Sequence, residues 1–184
     1  MPRRLVALPA AALVLATACS GSSRPAASGP DPSPSITVPG LVSGTGAVPA
    51  DYLRRVDATC AASLDALHRR GPAPSVPADP RTLTAKELRA AAPYLQAGAA
   101  IQRKAAAAVA GFAAPPAGAD LWAVYRTAVG QFAAGTQAEA SAAEAGDTSA
   151  FLAAAHQLLG LRTKVLESGL AVGLGAGTAC ARLF

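Results

Sequence analysis

Alanine occupies 49 of the 184 positions, and no other feature narrows the fold as much. It is the strongest helix former, whereas the residues that fill strands are scarce: Phe, Trp and Tyr together make up only 4% of the chain. That balance argues against an all-β sandwich or barrel. Glycine shows no Gly-X-Y period and the charged residues, 15% of the chain, form no charge-rich heptad array, so collagen and coiled-coil fibres are excluded. The expectation is an all-α fold whose 52% hydrophobic content consists mostly of small side chains.

Apolar spacing marks four helices. From Asp51 to Arg70, Leu53, Val56, Cys60, Leu64 and Leu67 recur at three- and four-residue steps, one stripe of a helix, and Gly71-Pro72 stops it. After the proline-rich GPAPSVPADPR, Thr84-Ala85-Lys86-Glu87 reads as a capping box, with Leu83 and Leu88 at the positions of a hydrophobic staple. The helix it opens runs to about Ala110 through Leu88, Leu95, Ile101 and Val109, with Pro93 predicted to kink it. A third helix begins near Asp120 with Trp122, Tyr125, Val129 and Phe132. Its second half is almost wholly small, and Gly130 and Gly135 each weaken it by roughly 1 kcal/mol. Gly146-Asp147 then supplies a stop and an N-cap. The fourth helix runs from Thr148 towards Gly169 with Phe151, Leu158, Leu161 and Val165 on one face and Leu152, Leu159 and Leu166 beside it. Short or proline-rich joints predict an antiparallel four-helix bundle over residues 49–184. Its alanine core allows close helix approach but supplies little apolar area per residue, so a covalent staple is expected.

Residues 1–18 read as an export signal, because Pro2-Arg3-Arg4 precedes an apolar run from Leu5 to Ala18 that is about half a membrane span. No later stretch of about 18 residues is free of Gly, Pro and charge, so no second membrane segment is predicted. The run ends in Leu15-Ala16-Thr17-Ala18-Cys19-Ser20-Gly21, which resembles the lipobox of bacterial lipoproteins, with Ala16 where that pattern usually has Leu. The resemblance implies removal of the leader before Cys19 and a diacylglycerol on its thiol, two chains that anchor the protein to the extracytoplasmic face of the membrane. Ala16-Thr17-Ala18 also satisfies the A-x-A rule for ordinary secretory cleavage, which leaves a secreted protein. Arg3-Arg4 fits both twin-arginine and general export. Residues 19–48 are then the lipidated N-terminus and a disordered Ser/Gly/Pro/Ala tether with a span on the order of 30 Å.

With Cys19 on lipid, Cys60 and Cys180 are the two remaining thiols in an oxidising compartment, and a disulfide between them is expected. Closing a loop of that length stabilises a fold by roughly 4 to 5 kcal/mol in the chain-entropy description. In an antiparallel bundle the end of helix four lies near Asp51, whereas Cys60 is about 13 Å further along helix one, so the tail must turn back. Gly169, Gly173, Gly175 and Gly177 permit this, and AVGLGAGTAC is read as a return segment packed on the bundle. The rival reading, a phosphate-cradling loop, lacks the preceding strand, the following helix and the Lys-Ser/Thr ending.

The net charge of +5 falls to +3 (14 − 11) once Arg3 and Arg4 leave with the leader. So mild an excess, interleaved with Asp51, Asp57 and Asp65 and without alternating aromatics, does not suit nucleic acid. Only His68 and His156 are of a residue type that could serve as a neutral-pH base. His68 sits one turn from a helix end, where the dipole favours an imidazolium, and His156 lies in helix four beside Leu152 and Leu159. There is no His-x-x-x-His, no Glu-x-x-His and no Gly-x-Ser-x-Gly elbow, and four Glu cannot assemble a di-iron carboxylate bundle. No catalytic residue, metal or cofactor is expected. Two functions are carried forward. One is a non-enzymatic, membrane-anchored helical module that binds an envelope protein or lipid through an exposed face. The other is a carrier of a small hydrophobic ligand or haem, with His156, His68 or Tyr125 as contacts and a cavity between the alanine-rich halves of helices two and three.

The mature layout resembles the small alanine-rich lipoproteins of high-GC Gram-positive bacteria. It has an early helix holding Asp57-Ala58-Thr59-Cys60, helices parted by proline-rich loops, a Gly-Leu stretch and a late cysteine. Its tail is longer and richer in glycine than the short Gly-Leu-x-x-Cys ending of that group. The resemblance implies location and architecture, and no reaction.

Overall fold

The computed structural model describes residues 48–184 apart from 76, 78, 80 and 81. The export signal, Cys19 and the tether up to residue 47 lie outside the described residues. Among those described there is no strand; the helices are α1 (Ala50–His68), α2 (Ala85–Gly111), α3 (Ala119–Ala145), α4 (Thr148–Val172) and the short α5 (Ala179–Leu183).

Local chemistry sets the helix ends. The Thr84 hydroxyl accepts the Glu87 amide, and the Glu87 carboxylate accepts the Thr84 amide at 2.9 Å, so the capping box is complete. Leu83 and Leu88 meet in a small cluster with Ala92, Leu95, Ala143 and Phe151, which is the staple at work. α2 continues unbroken through Pro93, which lies on its exposed side. At the α3–α4 junction Gly146 takes the left-handed conformation (φ 71°), the Asp147 amide reaches back to the Ala142 carbonyl at 3.0 Å, and the Asp147 side chain caps Ala150. One helix stops and the next starts within two residues. Gly173 (φ 99°) ends α4 in the same manner, with the Leu174 amide on the Gly169 carbonyl at 2.8 Å.

Successive helices run antiparallel. The Tyr52 hydroxyl at the start of α1 donates to the Ala113 carbonyl just beyond α2, and the Arg70 guanidinium just beyond α1 lies 3.8 Å over the Tyr94 ring of α2. Arg89 early in α2 donates to the Ala145 carbonyl that ends α3, whereas Arg126 early in α3 donates to the Ala110 carbonyl near the end of α2. On the α3–α4 side, Gly135 leaves room for Leu158 and Leu161, and Gly169 lies against the Tyr125 ring. A methyl group at Gly135 would stand 2.9 Å from Leu158, so this glycine sets how closely the two helices approach.

The buried stripe of α1 is Tyr52, Val56, Cys60 and Leu64, with Leu53 and Leu67 only half-buried. It is rotated towards Tyr52 because that ring meets Trp122 edge-on at 5.1 Å and Phe112 at 5.8 Å. α1 is also eight residues shorter than α2 (27 − 19), so it covers only part of their length. The larger core cluster, from Tyr52 to Phe184, therefore occupies the end that α1 and α5 cover.

Among the described residues α1 packs on α2 and α5 and α4 packs on α3, while α1 and α4 share almost no direct contact. The tail packs on α1 and reaches towards α2 and α3: Leu174, Ala179, Cys180, Leu183 and Phe184 are all buried, the Gln102 side chain of α2 donates to the Leu183 carbonyl at 3.1 Å, and Phe184 meets Phe132 of α3 edge-on at 6.2 Å. Cys60 and Cys180 form the disulfide, with Cα atoms 4.9 Å apart and a sequence separation of 120. The Asp57 carboxylate accepts the Cys180 amide at 3.0 Å, and Thr178 caps α5. The return segment and its staple are thus present.

Candidate functional site

The three residues proposed as ligand contacts do not converge. Tyr125 is fully buried against Trp122, with ring centroids 5.5 Å apart, and its hydroxyl has no hydrogen-bond partner. Burial pushes its phenol well above the ordinary range, and the nearby Asp57 carboxylate pushes in the same direction. His68, the last residue of α1, and His156, on α4, are both exposed, and neither side chain makes a hydrogen bond or ion pair among the described residues. Because Tyr125 packs on Gly169, His156 lies thirteen residues up α4, about 20 Å along the axis. His68 is eleven residues beyond Asp57 on α1, about 16 Å. The phenol is sealed in the core, and both imidazoles face outward towards the other end of α1 and α4.

At the interface between α2 and α3, where the carrier reading places its cavity, small residues are shielded from solvent. Ala91, Ala99, Ala105 and Ala106 on α2, and Ala133, Thr136, Ala140 and Ala143 on α3, are all buried. An open groove of about 490 Å³ lies between α3 and α4, bordered by Val124, Thr127, Ala128, Lys164, Glu167 and Ser168. No group of three or more His, Cys, Asp or Glu able to hold a metal occurs among the described residues. No described helix is long and apolar enough to cross a membrane.

Glu139 of α3 is a half-buried carboxyl whose pKa is raised by desolvation. It has no hydrogen bond or ion pair among the described residues, and no second titrating group is placed beside it as a general acid or base would need.

One surface stands apart. α4 is apolar on two sides. Ala154, Leu161, Val165 and Val172 point into the bundle, whereas Leu152, Leu159 and Leu170 point away from it with 38%, 53% and 60% of their surface exposed, and Leu166 is half-buried among them. At 100° per residue the two sets lie on roughly opposite sides of the helix. The outward face of α2, by contrast, is made of Ala90, Ala97, Ala100, Lys104 and Ala107. The leucine row was visible as a pattern, but its direction was not; apolar residues on both sides of a helix do not tell which side is inside. Comparison with protein-family models, curated proteins and solved structures finds no match for this chain.

Proposed function

We propose that the protein is a non-enzymatic, lipid-anchored module of the extracytoplasmic membrane face, which acts by binding another protein of the cell envelope through an exposed helix face. The observation that carries this reading is the division of the sulfurs. Cys60 and Cys180 are joined and buried, as suits an oxidising compartment, which leaves Cys19 as the one cysteine free for another use. It stands directly after the short apolar leader, in the lipobox-like Leu15-to-Gly21 segment. A diacyl group there gives stable attachment where a single chain would not. The burial of Tyr125 in the core and the exposure of His68 and His156 on the surface favour partner binding over the carriage of a small ligand or haem. Intact mass of the native chain purified from membranes, before and after reduction, tests the proposal. The expected species begins at Cys19, carries acyl mass and gains two hydrogens on reduction. An unacylated chain recovered from the medium replaces the anchored reading with the secreted one.

A further inference from the structure

We propose that the outward face of α4 pairs with the same face of a second copy of this chain, the two helices running parallel as a short two-stranded seam. This rests on the membrane-tethered binding reading and names its partner. The row is a heptad seam. Leu152, His156, Leu159, Thr163, Leu166 and Leu170 follow one another at steps of 4, 3, 4, 3 and 4. That places Leu152, Leu159 and Leu166 at d positions and His156, Thr163 and Leu170 at a positions. Such a stripe is one residue wide, the geometry of a helix-to-helix seam rather than the broad apolar half of a helix lying in a bilayer. Polar residues at a positions, here two of three, hold a two-stranded pair in register at some loss of stability.

Charge selects the direction. In a parallel pair a g residue faces the e residue five positions on in the partner helix. Arg162 is a g residue and Glu167 an e residue, so Arg162 of each copy meets Glu167 of the other, twice by symmetry. Both are exposed and neither has an ion pair among the described residues. An antiparallel pairing centred on the same row sets Arg162 beside its own counterpart. Small neighbours leave the approach open, because a methyl group added at Gly160, an e position, would meet nothing within 4 Å. The row spans nineteen residues, about 27 Å from first to last, which is short for a stable free dimer. Two chains tethered by their N-termini to one membrane face each other at high effective concentration and in the same orientation, which a parallel seam needs.

The test is Leu159→Cys in the full-length chain in intact cells, with copper-phenanthroline as oxidant. In a parallel pair each d residue faces its own counterpart, so Leu159→Cys is expected to give a covalent homodimer, while Ala97→Cys on the exposed face of α2 stays monomeric. Adding Arg162→Glu is expected to lower the dimer yield by roughly fivefold, and the swap Arg162→Glu/Glu167→Arg to restore it. Equal yields from positions 159 and 97 or an adduct with a different protein would overturn self-pairing, and a cross-link only between Leu159→Cys and Thr163→Cys chains would overturn the parallel seam. Membrane fractionation of the same cells tests the anchored reading separately, so the two fail independently.

Discussion

Replacing the disulfide, as Cys60→Ala/Cys180→Ala, should loosen the fold by an amount that the structure sets. The bridge closes a loop across a sequence separation of 120, for which the chain-entropy relation gives about 5 kcal/mol at 25 °C. Measured losses for such bridges run down to about 2 kcal/mol, because denatured chains retain structure. A folded unit of residues 48–184, 137 residues (184 − 47), has a melting entropy of about 0.29 kcal/mol/K. The expected fall in melting temperature is therefore about 7 to 17 °C. Thermal unfolding followed by circular dichroism, with urea titrations to obtain the free energy, reads it directly. The parent chain under a reductant that opens the bridge should approach the same stability. A fall of less than about 3 °C would refute the reasoning, since about 1 kcal/mol is too little for a cross-link of this span. It would mean that Leu183, Phe184 and the Asp57 bond to the Cys180 amide hold the tail without covalent help.

Three further substitutions probe separate contacts. Thr84→Ala removes the cap of α2 and should cost about 1 kcal/mol in urea unfolding. Because the Thr84 bonds hold the Glu87 carboxyl below its ordinary range, the support from that side chain is present above that range and should fade as pH falls through the folded value. Tyr125→Phe deletes a buried hydroxyl without a partner, so the variant should be at least as stable as the parent; a loss above about 1 kcal/mol would show that the hydroxyl has a bonding role. Glu139→Gln should stabilise the protein at pH 7, since desolvation raises the pKa of this carboxyl and folding is opposed by its ionised form. The sign reverses the usual carboxylate case: the parent gains stability as pH falls, and the advantage of the variant should vanish below about pH 4, where the carboxyl is protonated folded or unfolded.

Local chemistry was the most legible part of this chain. The capping box at Thr84, the Gly146-Asp147 junction and the pairing of Cys60 with Cys180 all depend on residues adjacent in sequence or on a count of thiols. Contacts set by distant partners were not legible. Tyr52 displaces Leu53 from the core because Trp122 and Phe112 wait across the interface, and spacing within α1 contains no trace of them. The tail buries Phe184 against Phe132 of α3, a partner that the glycine-rich segment itself does not announce. The surroundings of the candidate ligand residues were illegible for a related reason: only the packing of whole helices turns both His68 and His156 to water and seals Tyr125 away.

The clasp between α1 and α5 also governs how a mechanical load would pass through the molecule. Tension entering at Val48 travels twelve residues of backbone to Cys60 (60 − 48) and there crosses a sulfur bond to Cys180, six residues from Leu174 at the foot of α4 (180 − 174). α2 and α3 sit inside that covalent shortcut. A pull at Val48 that is resisted at α4 can strip the first turns of α1, yet it leaves the two longest rods unstretched.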